Sequence, residues 1–117
     1  MTPEQVLSIP PKVLSRKQRE SYFANGYLLL EKLISDEWLE RVRGVTSEVV
    51  ERSRQIAESD KVWDLEEGHT AESPRLRRLS SPNDYHEVYW AYASQSAIPD
   101  AIADLVGPDV KFHHSKL

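Results

Sequence analysis

The hydrophobic positions of this chain switch between helical and strand spacing several times, and the switches predict its elements. Residues Thr2 to Leu14 carry Pro3, Pro10 and Pro11 and read as an extended lead-in, since each proline disfavours helix in the residue before it. Ser15-Arg16-Lys17-Gln18 fits a capping box and predicts a helix from there to Asn25-Gly26, where a glycine can take the left-handed conformation that closes a helix. Tyr27-Leu28-Leu29-Leu30 follows as a compact apolar run and predicts a buried strand.

Ser35-Asp36-Glu37 supplies a cap and first-turn carboxylates for the longest predicted helix, in which Trp38, Val42, Val45, Val49 and Ile56 recur at helical spacing. Its other face, with Glu40, Arg41, Glu48, Glu51, Arg52 and Arg54, reads as solvated surface laced by i,i+3 and i,i+4 ion pairs. From Lys61 to Ser80 no period is sustained, which predicts a loop with short extended pieces. Ser81-Pro82 opens a further helix with Tyr85, Val88, Tyr89 and Tyr92 as its apolar stripe, a pattern of core packing. A last helix spans about Ile98 to Val106, started by Pro99-Asp100 and stopped by Gly107-Pro108.

The final residues, Val110 to Leu117, have a period of two. Val110, Phe112, His114 and Lys116 fall on one face and Lys111, His113, Ser115 and Leu117 on the other, so the segment predicts a strand with one face lining a pocket. An ordinary edge strand is the competing reading, because lysine discourages edge-to-edge pairing. No glycine, proline or acidic tail closes this run, from which we expect a domain cut short.

Composition narrows the chemistry. At 117 residues the chain can support one modest core. Its net charge of −4 and sequence pI of about 5.5 argue against a nucleic-acid surface. Without cysteine there is no disulfide, CxxC site or thiolate ligand, so any metal must use His, Asp or Glu. No apolar run approaches the length of a membrane span, and Pro3 and Glu4 stand where a signal peptide needs a basic start, which makes the cytoplasm the expected compartment.

His69, His86, His113 and His114 are the candidate nitrogen ligands, but neighbours in a strand point to opposite faces, which argues against His113 and His114 sharing one metal. There is no phosphate-binding glycine loop, GxSxG turn or HExxH helix. The cluster Arg75, Arg77 and Arg78 remains: a guanidinium can hold a carboxylate ligand in a bidentate fork, or it can pair with the nearby Glu66, Glu67 and Glu72 as surface charge.

Phe23-Ala24-Asn25-Gly26-Tyr27-Leu28-Leu29-Leu30, followed by Leu33-Ile34-Ser35 and the helix beginning at Trp38, resembles the N-terminal signature of the phytanoyl-CoA dioxygenase family. Ile98 to Asp109 and Phe112 to Leu117 look like that family's helix and first long strand ahead of its metal motif. The resemblance implies an α+β fold: N-terminal helices plus the first strands of a double-stranded β-helix, or jelly roll, with residues 1–14 as lead-in and 15–117 as part of a single oxygenase domain.

It implies Fe(II) and 2-oxoglutarate as cofactors of a longer parent chain, with the iron held by two His and one carboxylate. The family's His-x-Asp, its last His and its 2-oxoglutarate arginine follow the region matched here, and this chain has no His-x-Asp or His-x-Glu pair. We therefore expect no metal ligand and no catalytic residue within these 117 residues, and no catalysis by them alone. Carried over residue by residue, His114 and Lys116 are expected as substrate or co-substrate contacts, with Arg78 and Arg77 as an arm from the preceding loop. The function implied is that of the N-terminal segment of an oxygenase hydroxylating a small molecule, lipid-derived or a secondary metabolite, completed by a C-terminal part of the same domain. The alternatives are a helical interaction module using Tyr85, Tyr89 and Tyr92, and a catalytically dead relative.

Overall fold

The structure, a computed structural model, describes every residue from Met1 to Leu117. It is α+β, with six helices and one two-stranded antiparallel sheet, and it divides into two compact units. No helix is long and apolar enough to cross a membrane.

One unit comprises residues 1–35 and 93–112. Its first helix, α1 (Pro3–Ser8), corrects the reading of residues 1–14 as an extended lead-in. Pro3 sits in the first turn, where its missing N–H costs nothing, and Thr2 and Gln5 complete a reciprocal capping box. Within this stretch only Met1, Thr2 and the residues after Ser8 are non-helical. Helix α2 (Arg16–Asn25) has the predicted Ser15–Gln18 box and ends on Gly26 at φ 79°.

The strand expected at Tyr27–Leu30 does not form. Leu28 and Leu30 are half-buried and alternate with Tyr27 and Leu29, which are 72% and 75% exposed. The spacing is that of a strand, but this unit is otherwise helical and offers no sheet edge to pair with.

Near its other end α6 (Ala97–Val106) starts from the Ser96 cap and stops at Gly107, whose φ of 103° and ψ of 169° are accessible essentially to glycine alone. Arg19 and Asp104, both almost fully buried, tie the helices together. The Arg19 guanidinium donates to the carbonyls of Asp104 (2.8 Å), Ile9 (3.1 Å) and Val6, while the Asp104 carboxylate accepts the amides of Lys12, Val13 and Leu14 at 2.8–2.9 Å. A buried cation is thus spent on carbonyls at the negative ends of α1 and α6.

The other unit comprises residues 36–92 and 113–117. Helix α3 (Asp36–Ser53) lays Val42, Val45 and Val49 on a core of Trp63, Leu79, Val88 and Tyr89, with Ile56 joining just past its end. Its charged face does more than meet solvent: Arg52 donates to the Tyr85 hydroxyl, and Arg54 reaches the carbonyls of Ala71 and Glu72. The region without a sustained period holds β1 (Trp63–Leu65) and β2 (Leu76–Leu79). Trp63 pairs with Leu79 and Asp64 with Arg78, but Leu65 pairs with Leu76, so Arg77 is an extra, bulged residue. The bulge brings both Leu76 and Leu79 to the core although three positions separate them, and that spacing erased the strand's period from the sequence.

The single helix expected after Ser81-Pro82 is two, α4 (Pro82–Tyr85) and α5 (Glu87–Gln95). His86 is extended between them, and its Nδ1 accepts the Val88 amide at 3.0 Å, capping the second helix. The tyrosine stripe packs as core: Tyr89 is buried, Tyr85 packs edge-on to Trp63 and Tyr92 edge-on to Trp38.

Candidate functional site

The residues carried forward from the sequence, Arg77, Arg78, His114 and Lys116, lie around the free edge of β2. The strand expected over Val110–Leu117 is reduced to its last residues, where Lys116 forms an isolated antiparallel bridge with Ser80. Leu79 and Leu117 exchange both main-chain hydrogen bonds, at 3.0 and 3.2 Å. The ladder goes no further because Ser81, at φ 48°, turns the chain out of the sheet, and Pro82 has no N–H to offer.

Cross-strand partners share a face, and Leu79 fixes which one is the core. Asp64, Arg78, Ser80 and Lys116 therefore occupy the opposite, outer face. Two of the four expected contacts, Arg78 and Lys116, are brought to one face. His114 is exposed ahead of the bridge, its ring edge-on to that of His113 with centroids 4.5 Å apart, so the expectation of adjacent imidazoles on opposite faces of a strand is not met. Arg77 is exposed at the bulge. The expected pocket wall is also corrected, since Val110, Phe112, His114 and Lys116 are all exposed. A face needs a second layer to become a wall, and this short ladder carries none.

Arg78 donates from Nη2 to Asp64 Oδ2 at 2.8 Å, with both side chains only partly buried. Its Nε is shut off from solvent and has no acceptor, although the side chain as a whole stays 43% exposed. Such a one-point pair in a screened position is worth little, about 0–1 kcal/mol, so a ligand carboxylate can compete for the fork. Sequence reasoning missed Asp64 as the partner and looked to Glu66, Glu67 and Glu72. The available signal was the alternation Trp63-Asp64-Leu65, apolar, acidic, apolar. Arg75, the third arginine, donates instead to the Glu67 carbonyl and clamps the hairpin loop.

His69 is committed to structure, with Nε2 bonded to the Ser53 carbonyl (2.9 Å) and Nδ1 to the Arg75 amide (2.8 Å). No group of three or more His, Cys, Asp or Glu side chains comes together in a way that could hold a metal ion. The residues present do not fit the iron of the family that the sequence resembles. Comparison of the chain with protein-family models, curated proteins and solved structures returns no match.

Proposed function

We infer that this chain is the N-terminal segment of an Fe(II)- and 2-oxoglutarate-dependent oxygenase domain of the phytanoyl-CoA dioxygenase kind, acting in the cytoplasm on a small, lipid-derived or secondary-metabolite substrate. The support is the order and spacing of the resembling stretches, Phe23–Leu30, Leu33–Ser35, Ile98–Asp109 and Phe112–Leu117. The single structural observation that carries it is the reciprocal pair of hydrogen bonds between Leu79 and Leu117, the start of a third strand beside β1 and β2. In this reading the sheet continues into a jelly roll beyond the segment. The segment supplies Arg78 and Lys116 as cations on one face for a carboxylate of co-substrate or substrate, with His114 beside them and Arg77 at the bulge. Iron binding, and the oxidation it supports, belong to residues outside this chain.

Reading the gene frame past Leu117 tests this. A His-x-Asp or His-x-Glu within about a dozen or so residues is expected, with a second His and an arginine further on. A frame that continues for the length of a barrel without such a pair overturns the enzymatic reading and leaves a non-catalytic binding module or a dead relative.

A further inference from the structure

A shallow cleft of about 300 Å³ opens between the residues preceding β1, the end of β2 and α4, lined by Lys61, Val62, Ser80, Ser81, Asp84 and Tyr85. Its walls are pinned. Val62 accepts the Ser80 amide at 2.8 Å, Asp60 Oδ1 holds the amides of Val62 and Trp63, and Ser81 accepts the Asp84 amide at 2.9 Å. The Tyr85 ring is set edge-on to Trp63 and its hydroxyl is taken by Arg52, so ring surface is what this residue offers.

The charges of the cleft are unspent. Lys61 and Asp84 both line it, yet neither takes part in any of the four ion pairs of the molecule. Asn83 donates to Asp84 Oδ1, which leaves Oδ2 open. The Ser81 side chain makes no capping bond, and its backbone is held in a left-handed conformation (φ 48°, ψ 56°) that few non-glycine residues adopt.

We propose that this cleft binds a small zwitterion of the free amino acid class, with the carboxylate on Lys61, the ammonium on Asp84 and a short apolar body over Val62 and the Tyr85 ring. Its volume is at the small end of ligand sites, which suits a ligand of that size. Opposite charges on one cleft also discriminate, since a ligand carrying both signs can meet Lys61 and Asp84 together, whereas a simple anion or cation can meet only one of them. The site stands apart from the oxygenase reading, and the failure of one leaves the other in place.

The test uses the full chain, isotope-labelled for amide NMR and titrated with L-leucine. Parallel titrations use 4-methylpentanoate, which lacks the ammonium, and 3-methylbutylamine, which lacks the carboxylate. L-Leucine is expected to give saturable shifts at Lys61, Val62, Ser81, Asp84 and Tyr85, with both monopolar analogues binding about tenfold or more weaker. Lys61→Gln and Asp84→Asn should each weaken L-leucine by a similar factor while leaving the melting temperature unchanged. No saturable shift at these residues, equal binding of the monopolar analogues, or full retention of affinity in both variants overturns the proposal. The analogue comparison is made on the unaltered chain, so it decides the matter even where a variant misfolds.

Discussion

Arg19 donates from Nε to the main-chain carbonyl of Asp104 at 2.8 Å, and the carboxylate of that same aspartate accepts three successive amides, those of Lys12, Val13 and Leu14. One acid in an otherwise apolar turn of α6 thereby fixes the chain between α1 and α2. Burial pushes the Asp104 carboxyl up, but the Val13, Leu14 and Lys12 amides and the Arg19 charge outweigh it and hold the group below the ordinary aspartate value.

An acid-side stability change follows from that direction. A carboxyl whose folded-state value lies below its unfolded value stabilises the fold fully above the unfolded value, and the contribution disappears as pH falls through the folded value. Asp104→Asn turns an NH2 towards amide donors, so it should cost about 1–3 kcal/mol near neutral pH and flatten the acid limb of the stability curve. Denaturant unfolding of both forms from neutral to strongly acidic pH measures it.

At Gly107 the backbone alone decides. A Cβ built there lies 2.5 Å from Met1 Sδ, a flexible side chain that can move aside, but φ 103° with ψ 169° stays strained for any L-residue. Gly107→Ala is expected to lose about 1–3 kcal/mol, and shortening the side chain at Met1 should not restore it. Equilibrium unfolding of the single and double variants reads both effects.

His69 should carry a proton on Nε2, because Nδ1 accepts the Arg75 amide and Nε2 faces the Ser53 carbonyl. Long-range nitrogen NMR of the ring should show Nε2 as the donor nitrogen and Nδ1 as the acceptor. His69→Ala leaves the Arg75 amide and the Ser53 carbonyl without that partner, for an expected loss of about 1–3 kcal/mol in thermal or denaturant unfolding.

Local sequence signals located most helices here and few of the strands. The Ser15 box, the Gly26 stop, the amphipathic run from Trp38 and the Gly107 stop were legible because each rests on the chemistry of neighbouring residues. Helix α1 is hidden in the sequence because a proline signals a break in general, whereas Pro3 occupies the first turn behind a Thr2 cap. Tyr27–Leu30 and Val110–Leu117 have strand spacing, but pairing depends on a partner elsewhere in the chain, and only Lys116 and Leu117 meet one. The hairpin was hidden for the opposite reason, a bulge at Arg77 that breaks the alternation of a real strand. Arg78 and Lys116 could be named from sequence, whereas the Asp64 clasp and the solvent exposure of the face depend on register and layering.

The reading of Arg78 as a ligand contact has its own check. In the full-length protein, Asp64→Asn should release the guanidinium and leave carboxylate binding unchanged or tighter, while Arg78→Ala should weaken it by roughly tenfold or more, about 1.5–3 kcal/mol. Arg43→Ala, on the exposed side of α3, is the control. Titrations of 2-oxoglutarate and of substrate compare the three variants side by side.

The most direct measurement is the consumption of 2-oxoglutarate and oxygen by the full-length protein with and without Fe(II), in wild type and Arg78→Ala. The account predicts iron-dependent consumption by the wild type and a higher 2-oxoglutarate or substrate requirement in the variant. A folded full-length protein that consumes no 2-oxoglutarate when iron and candidate small-molecule substrates are supplied would contradict it.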